Sequence, residues 1–283
     1  MNQIDASSQE LKNERLNDEH FKQAVKTILE DGFVILNNVI EHDHLDALRE
    51  KMMEDTQVLL DAERWGGAGS VPGHLQQMPP PKAPYVFRDI IANPFVAQVA
   101  KGILGDGVYL RDYTSNTNTP RSGGESSQPL HRDISRELWP GLDVVHPPYT
   151  LAVNICLIEV TEERGAIELW PGTHTLLMGG GQITAKEEAI RRQEVPPVRG
   201  CTPKGALLIR DKRIWHRGMP NRSDQVRHML GLMHNAMWLK GAGPLKFHKS
   251  VEPVFEGSEL APNYNFVDDV DDYLWLPRPQ API

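Results

Sequence analysis

From Asp18 onward, Phe21, Val25 and Ile28 recur at helical spacing and Asp31-Gly32 closes the run, which predicts an amphipathic helix of about three turns. Phe33-Val34-Ile35-Leu36 then predicts a short buried strand. A second helix is expected from about His42 to Leu60, with Leu45, Leu48, Met52 and Val58 on one side, and a third over roughly Phe87 to Leu104, with a break near Pro94. Between them, Trp65 to Pro84 holds Gly66, Gly67, Gly69, Gly73 and Pro79-Pro80-Pro81, a composition that argues against regular structure and for a lid or a disordered loop. Residues 1–17 carry few large apolar side chains and read as a flexible tail.

At Gly107 the texture changes to short alternating runs punctuated by Gly and Pro: Val108 to Thr114, Gln128 to Ile134, Thr150 to Val160, Ala166 to Trp170, Ala206 to Arg210, Ile214 to Arg217 and Val226 to Trp238. Strands of that length and spacing predict a sandwich or barrel, here a jelly roll of two packed sheets with the N-terminal helices on one sheet. The expected organisation is one domain over 18–283. It has a helical part to about 106, a jelly-roll core over about 107–240 and a C-terminal segment, 241–283, that wraps the surface.

A net charge of −8, with the 30 Lys and Arg scattered, argues against a nucleic-acid partner. No apolar run approaches the roughly 20 residues of a membrane span, and the polar N-terminus is no secretory signal. Cys156 and Cys201 are the only cysteines, so a disulfide framework is excluded and a reducing cytoplasm is expected. The expected partner is a small-molecule substrate, met by a monomer or homodimer.

The candidate chemistry lies in two blocks. In Gln128-Pro129-Leu130-His131-Arg132-Asp133, read as a strand, His131 and Asp133 share a face and can grip one ion. Ile214-Trp215-His216-Arg217-Gly218 supplies a second imidazole. Two imidazoles and a carboxylate on one side of an ion make the facial triad of non-haem Fe(II) oxygenases. Read alone, His-Arg-Asp could be a solvated turn. A protein-kinase catalytic loop is ruled out, because no Asn follows at the required interval and no Asp-Phe-Gly occurs. Arg227 follows His216 by eleven residues within an apolar strand, so it needs an anionic partner: the distal carboxylate of a 2-oxo diacid, or Asp211 or Asp224 in a structural ion pair. Asn154, on the face of Ala152 and Cys156, is a candidate for cosubstrate or for a bulge. Tyr109, Arg111 and Tyr113, on one face of their strand, and Trp139 are candidates for the substrate wall. His174, in Pro171-Gly172-Thr173-His174, reads as structural, since a fourth ligand would close a position that dioxygen needs, and Thr173 as the start of a turn.

The order Gln128 to Asp133, then Gly165-Ala166-Ile167-Glu168-Leu169-Trp170-Pro171-Gly172-Thr173-His174, then His216 and Arg227, resembles the phytanoyl-CoA dioxygenase family of Fe(II)/2-oxoglutarate oxygenases, from about Asp31 to Trp238. The resemblance implies a double-stranded β-helix, cupin-like core, with His131, Asp133 and His216 as iron ligands and catalytic centre and Arg227 on the distal carboxylate of 2-oxoglutarate. Gln128 matches a cosubstrate contact in the natural-product branch, whereas Ile167 replaces a Thr common there. O2 would be consumed with release of succinate and CO2, and ascorbate would serve as reductant in assays. The carboxylate of Asp133 argues against halogenation and leaves hydroxylation, desaturation or rearrangement. Only Lys82 in the 65–84 stretch suits a CoA thioester, while Trp65, Leu75, Met78 and Tyr85 suggest a small, mostly apolar metabolite. The alternatives are an acyl-CoA hydroxylase, a non-catalytic cupin-like binding module, and an oxygenase with another metal and no 2-oxo acid.

Overall fold

The computed structural model describes residues 2–62, 74–120, 127–134, 144–176, 183–239, 241 and 243–275. The strands are β1 (Gln3–Asp5), β2 (Phe33–Asn37), β3 (His74–Gln77), β4 (Tyr109–Asn118), β5 (Thr150–Cys156), β6 (Glu168–Trp170), β7 (Val198–Arg199), β8 (Leu207–Asp211), β9 (Trp215–Arg217), β10 (Arg227–Asn235), β11 (Leu245–His248) and β12 (Tyr264–Val267). The helices are α1 (Ser8–Asn13), α2 (Asp18–Asp31), α3 (His42–Asp61), α4 (Arg88–Ile91), α5 (Pro94–Leu104) and α6 (Ala185–Glu194).

One large sheet has the order β1-β2-β8-β5-β10-β4-β3, antiparallel except for the β1–β2 pair, and a small one has the order β7-β6-β9. Alternation assigns the two faces of the large sheet. Leu151, Val153 and Ile155 of β5 point outward into the main core with Ala24, Ile28, Leu45, Leu48 and Met52 of α2 and α3 and Phe95, Val96 and Val99 of α5. The inner face meets the small sheet in a second cluster of Phe33, Ile35, Ile167, Leu169, Ala206, Leu208 and Ile214. These are the two sheets of the expected jelly roll, with the helices on one of them.

Several elements depart from the sequence pattern. Residues 2–17 are ordered: β1 pairs with β2, Ile4 and Leu16 are buried, and Ser7 caps α1 in a capping box with Glu10. The 65–84 stretch contains β3, which pairs with β4 at the sheet edge; its residues 65–73 lie outside those described. Asn93 and Pro94 do divide the third helical run into α4 and α5. Gln128 to Ile134 is not a strand but a segment that forms one isolated β-bridge with β9, His131 to His216. The described part of the C-terminal segment places Phe247, Val251, Phe255 and Leu260 in the main core and a Tyr273 hydroxyl on Asp55, 2.5 Å away. Among the described residues no helix is long and apolar enough to cross a membrane.

Candidate metal centre

The 128–134 segment is laid against β9 by backbone hydrogen bonds: Gln128 N to Gly218 O (2.9 Å), His131 N to His216 O (3.1 Å), His216 N to His131 O (3.0 Å) and Asp133 N to Lys212 O (3.1 Å). Chain segments far apart in sequence thereby bring three side chains to one point. One ligand atom each from His131, Asp133 and His216 lies within 4.8 Å of the others, with Asp133 Oδ1 3.3 Å from His216 Nε2 and 3.8 Å from His131 Nε2. His131 Nδ1 lies 2.8 Å from Pro129 O and His216 Nδ1 lies 3.0 Å from Ile214 O. Each Nδ1–H donates to a carbonyl, so each Nε2 keeps its lone pair for an ion.

The carboxylate is held from the large sheet. Arg210 of β8 makes an ion pair with Asp133 Oδ2 at 2.7 Å, and its Nε donates to Asn154 Oδ1 at 3.0 Å. Burial alone would raise the Asp133 carboxyl, but the Arg210 guanidinium and His216 hold it well below the usual carboxylate range. Burial, with Arg210 adding to it, pushes the His216 imidazole down to about 4, so it is neutral at pH 7. Two imidazoles that present Nε2 and an ionised carboxylate are a donor set that a divalent transition metal takes. The residues fit iron.

These groups border a cavity of ≈ 530 Å³ between the sheets. Arg227 lines it and is only 4% exposed, yet no carboxylate lies within ion-pair distance among the described residues and its Nε has no hydrogen-bond partner. Asp211 is taken by a bidentate contact to Arg213, at 2.6 Å to Nη2, and no ion pair joins Arg227 to Asp224, so neither structural alternative holds. His74 of β3 and Arg227 of β10 both lie opposite Asn118 of β4, and all three line the cavity. Beside the guanidinium, and mainly through burial, the His74 imidazole falls to about 4.

The other predicted residues divide. Gln128 lines the cavity and accepts a hydrogen bond from Gly218 N at 2.8 Å; Ile167 lines it too. Asn154 also lines it, but its carbonyl is engaged with Arg210. Tyr109, Arg111 and Tyr113 do not share a face. His234 lies opposite Leu110 and Met233 opposite Asp112, so Arg111 is the extra residue of a β-bulge and the phase flips there. Arg111 and Tyr113 both border the cavity, the Tyr113 ring packing toward Phe247 at 5.9 Å, whereas Tyr109 is turned to the backbone at Leu239. Trp139 lies outside the described residues. His174 Nε2 sits 3.1 Å from Leu29 O at the end of α2, away from the triad, and Thr173 opens a 3-10 turn.

Comparison with known proteins settles the lineage. The model of the phytanoyl-CoA dioxygenase (PhyH) family matches residues 28–229, well over half of the chain. The chain belongs to the phytanoyl-CoA dioxygenase family. Two fungal relatives carry dioxygenase names. Dioxygenase trt7 of Aspergillus terreus is 27% identical over 221 residues, covering 75% of this chain and 72% of that protein. Dioxygenase af480 of Aspergillus fumigatus is 29% identical over 160 residues, covering 55% of this chain and 47%, about half, of that protein. Among solved structures, EctD from S. alaskensis, crystallised with 2-oxoglutarate and 5-hydroxyectoine, superposes with a TM-score of 0.57 at 19% identity, over 78% of this chain and 76% of its own. Family and relatives support an enzyme of the dioxygenase class.

Sequence reasoning missed Arg210, His74 and Lys212. The signal for Arg210 was present, a charge directly after the apolar run Ala206 to Ile209, and it carries the same demand for a partner as Arg227. His74 lay in a stretch dismissed as irregular.

Proposed function

We propose that this family member is an Fe(II)/2-oxoglutarate-dependent dioxygenase, with His131, Asp133 and His216 holding the iron and Arg227 the distal carboxylate of 2-oxoglutarate. The observation that carries the reading is a buried guanidinium, touched by the neutral Cys156 thiol but with no carboxylate partner among the described residues, on the wall of the cavity that the His-Asp-His cluster borders. A buried cation without a counter-ion is costly, and a carboxylate seated two-pronged on its planar fork removes that cost. The 2-oxoglutarate in the EctD crystal supports the same cosubstrate here. Bound iron would supply the oxidising chemistry, coupling decarboxylation of 2-oxoglutarate to succinate and CO2, at the expense of O2, with oxidation of a substrate C–H bond.

The protein's own part is placement. Arg210 fixes the carboxylate ligand, Asn154 fixes Arg210, and the two backbone carbonyls fix the imidazole tautomers. Gln128, tied to Gly218, stands at the cavity wall as a further cosubstrate contact. A cavity of ≈ 530 Å³ suits a small organic substrate. Its wall is mostly apolar, in keeping with the mostly apolar molecule expected from sequence, and includes Gln76, Asp112, Asn116 and Asn118, which can meet polar groups on that substrate. Of the side chains behind that expectation, Met78 lines the cavity, whereas Leu75 and Tyr85 pack into the protein and Trp65 lies outside the described residues.

The test is succinate release from 2-oxoglutarate by the purified protein with Fe(II), O2 and ascorbate, without added substrate. Wild type is expected to turn over slowly and His131→Ala not at all. Arg227→Met is expected to raise the KM for 2-oxoglutarate by about tenfold or more, from the loss of a charge-assisted contact. Release that persists in His131→Ala overturns the ligand assignment. No release from wild type leaves a binding module instead.

A further inference from the structure

The cavity has a second cationic wall, distant from Arg227. Its floor is the inner face of β10, where Arg227, Met229, Gly231 and Met233 face the cavity in turn. From Arg227 to Met233 is about 20 Å at 3.3 Å per residue. Met233 lies opposite Asp112 and Ala152, and Ala152 lies opposite Arg210, so Arg210 and Asp112 share the far row. Arg111 and Lys212 border the cavity there, each close enough to feel the other's charge.

The charges in that row do not cancel. Arg210 is paired with Asp133 at 2.7 Å and Arg111 with Asp112 at 3.0 Å. Lys212 is only 8% exposed, lines the cavity, and has neither a carboxylate within 4.0 Å nor a hydrogen bond from its ammonium among the described residues. Among the described residues three cations therefore face two carboxylates, and a divalent metal on the triad would add to the positive side. Burying a lysine so is costly unless a mobile anion completes the site. 2-Oxoglutarate, with its distal carboxylate on Arg227 and its other end at the triad, leaves Lys212 unmatched.

We propose that Lys212, with Arg111 beside it, binds an oxyanion group, carboxylate or phosphate, of the primary substrate, which makes small organic anions the substrate class. The proposal rests on the dioxygenase reading for the word substrate; the anion site itself stands on the geometry. An ammonium on a flexible stem acts as a point charge, so it suits either oxyanion.

The test uses the full chain loaded with Zn(II) as a redox-inert stand-in and saturated with 2-oxoglutarate, which occupies the Arg227 end. The probes are 4-fluorophenylacetate, 4-fluorobenzylphosphonate and the neutral 4-fluorophenylacetamide, followed by fluorine NMR. At least one anion is expected to bind about tenfold more tightly than the amide, and the stronger of the two identifies the oxyanion. Lys212→Met, an apolar chain of similar length in place of an uncompensated ammonium, is expected to fold and to bind all three probes as weakly as the amide. Lys212→Arg keeps the charge and the preference. In both variants 2-oxoglutarate binds as in wild type. Equal binding of amide and anions, no binding of any probe, or anion binding undiminished in Lys212→Met overturns the proposal. Lys212-dependent anion binding in a protein that neither binds 2-oxoglutarate nor releases succinate would instead sink the dioxygenase reading and leave the anion site standing.

Discussion

Arg210 decides how well the triad is held. Its guanidinium reaches Asp133 Oδ2 with one nitrogen and Asn154 Oδ1 with another, so one side chain ties the ligand from the 128–134 segment to two strands of the large sheet. Removing it has two opposing effects on a cation at the triad. A nearby positive charge is lost, which favours metal, and a carboxylate loses its orientation, which disfavours it. Outer partners of metal ligands typically cost 10–100-fold in metal affinity when mutated, so orientation is expected to win. Arg210→Met should weaken Fe(II) binding by about tenfold or more, read from the Fe(II) dependence of succinate release and from anaerobic metal titration of the apoprotein. Unchanged affinity would mean that Asp133 is placed by its backbone bond to Lys212 alone. The candidate cluster itself was legible because His131, Asp133 and His216 carry scarce chemistry at a readable spacing. The supporting shell was not, because it is made by cross-strand neighbours, Arg210 beside Ala152 and Asn154 beside Gly231, that no local spacing encodes.

At the scale of elements, the runs with strong periodicity were read in type and place, with strand ends three or four residues too long. The Phe21-Val25-Ile28 pattern became α2 with its Gly32 cap, and the apolar runs at 150–160 and 226–238 became the central strands β5 and β10. What failed was structure created by pairing. β3 is a strand because β4 accepts it, though it sits in a stretch rich in Gly and Pro, and the 128–134 segment looks like a strand yet contributes one bridge. The N-terminal segment held a local signal that composition obscured: Ser7 and Glu10 stand at capping-box spacing. Ser7 Oγ accepts from Glu10 N at 3.3 Å and Glu10 Oε2 accepts from Ser7 N at 2.9 Å. Ser7→Ala is therefore expected to cost about 1 kcal/mol in urea unfolding. Because α1 does not line the cavity, succinate release per molecule should not change. A variant as stable as wild type would return residues 2–17 to the loose tail that composition suggested.

For the molecule as a whole, stability should depend on pH through imidazoles that the fold buries uncharged. Burial pushes His228 down to about 3 and His234 to about 4, with Arg49 and Arg227 adding to the shift of His228. His74 falls to about 4. Each starts from an ordinary value of 6.5 in the unfolded chain, so between 6.5 and those lower values the unfolded state binds the extra proton. Their contribution is complete above about pH 6.5 and is lost progressively as the pH falls toward 4 and 3. Each can contribute up to about 1.4 kcal/mol per pH unit, so at pH 5.5 the three remove on the order of 4 kcal/mol. That is a large part of a typical domain's 5–15 kcal/mol. Glu10, which its hydrogen bonds to Ser7 and Asn17 lower from 4.5 to about 2, acts with the same sign but only below about pH 4.5, so the two windows separate. Metal-free protein should therefore show a steep drop in urea midpoint between pH 6.5 and 5, before any carboxylate contributes. His234→Leu, which replaces a buried ring whose Nδ1 has no hydrogen-bond partner, should recover about 1 kcal/mol of the loss at pH 5.5. A midpoint flat from pH 7 to 5 would show that these imidazoles take up protons in the folded protein, and with that the burial assigned to His228 and His234 on β10 would have to be redrawn.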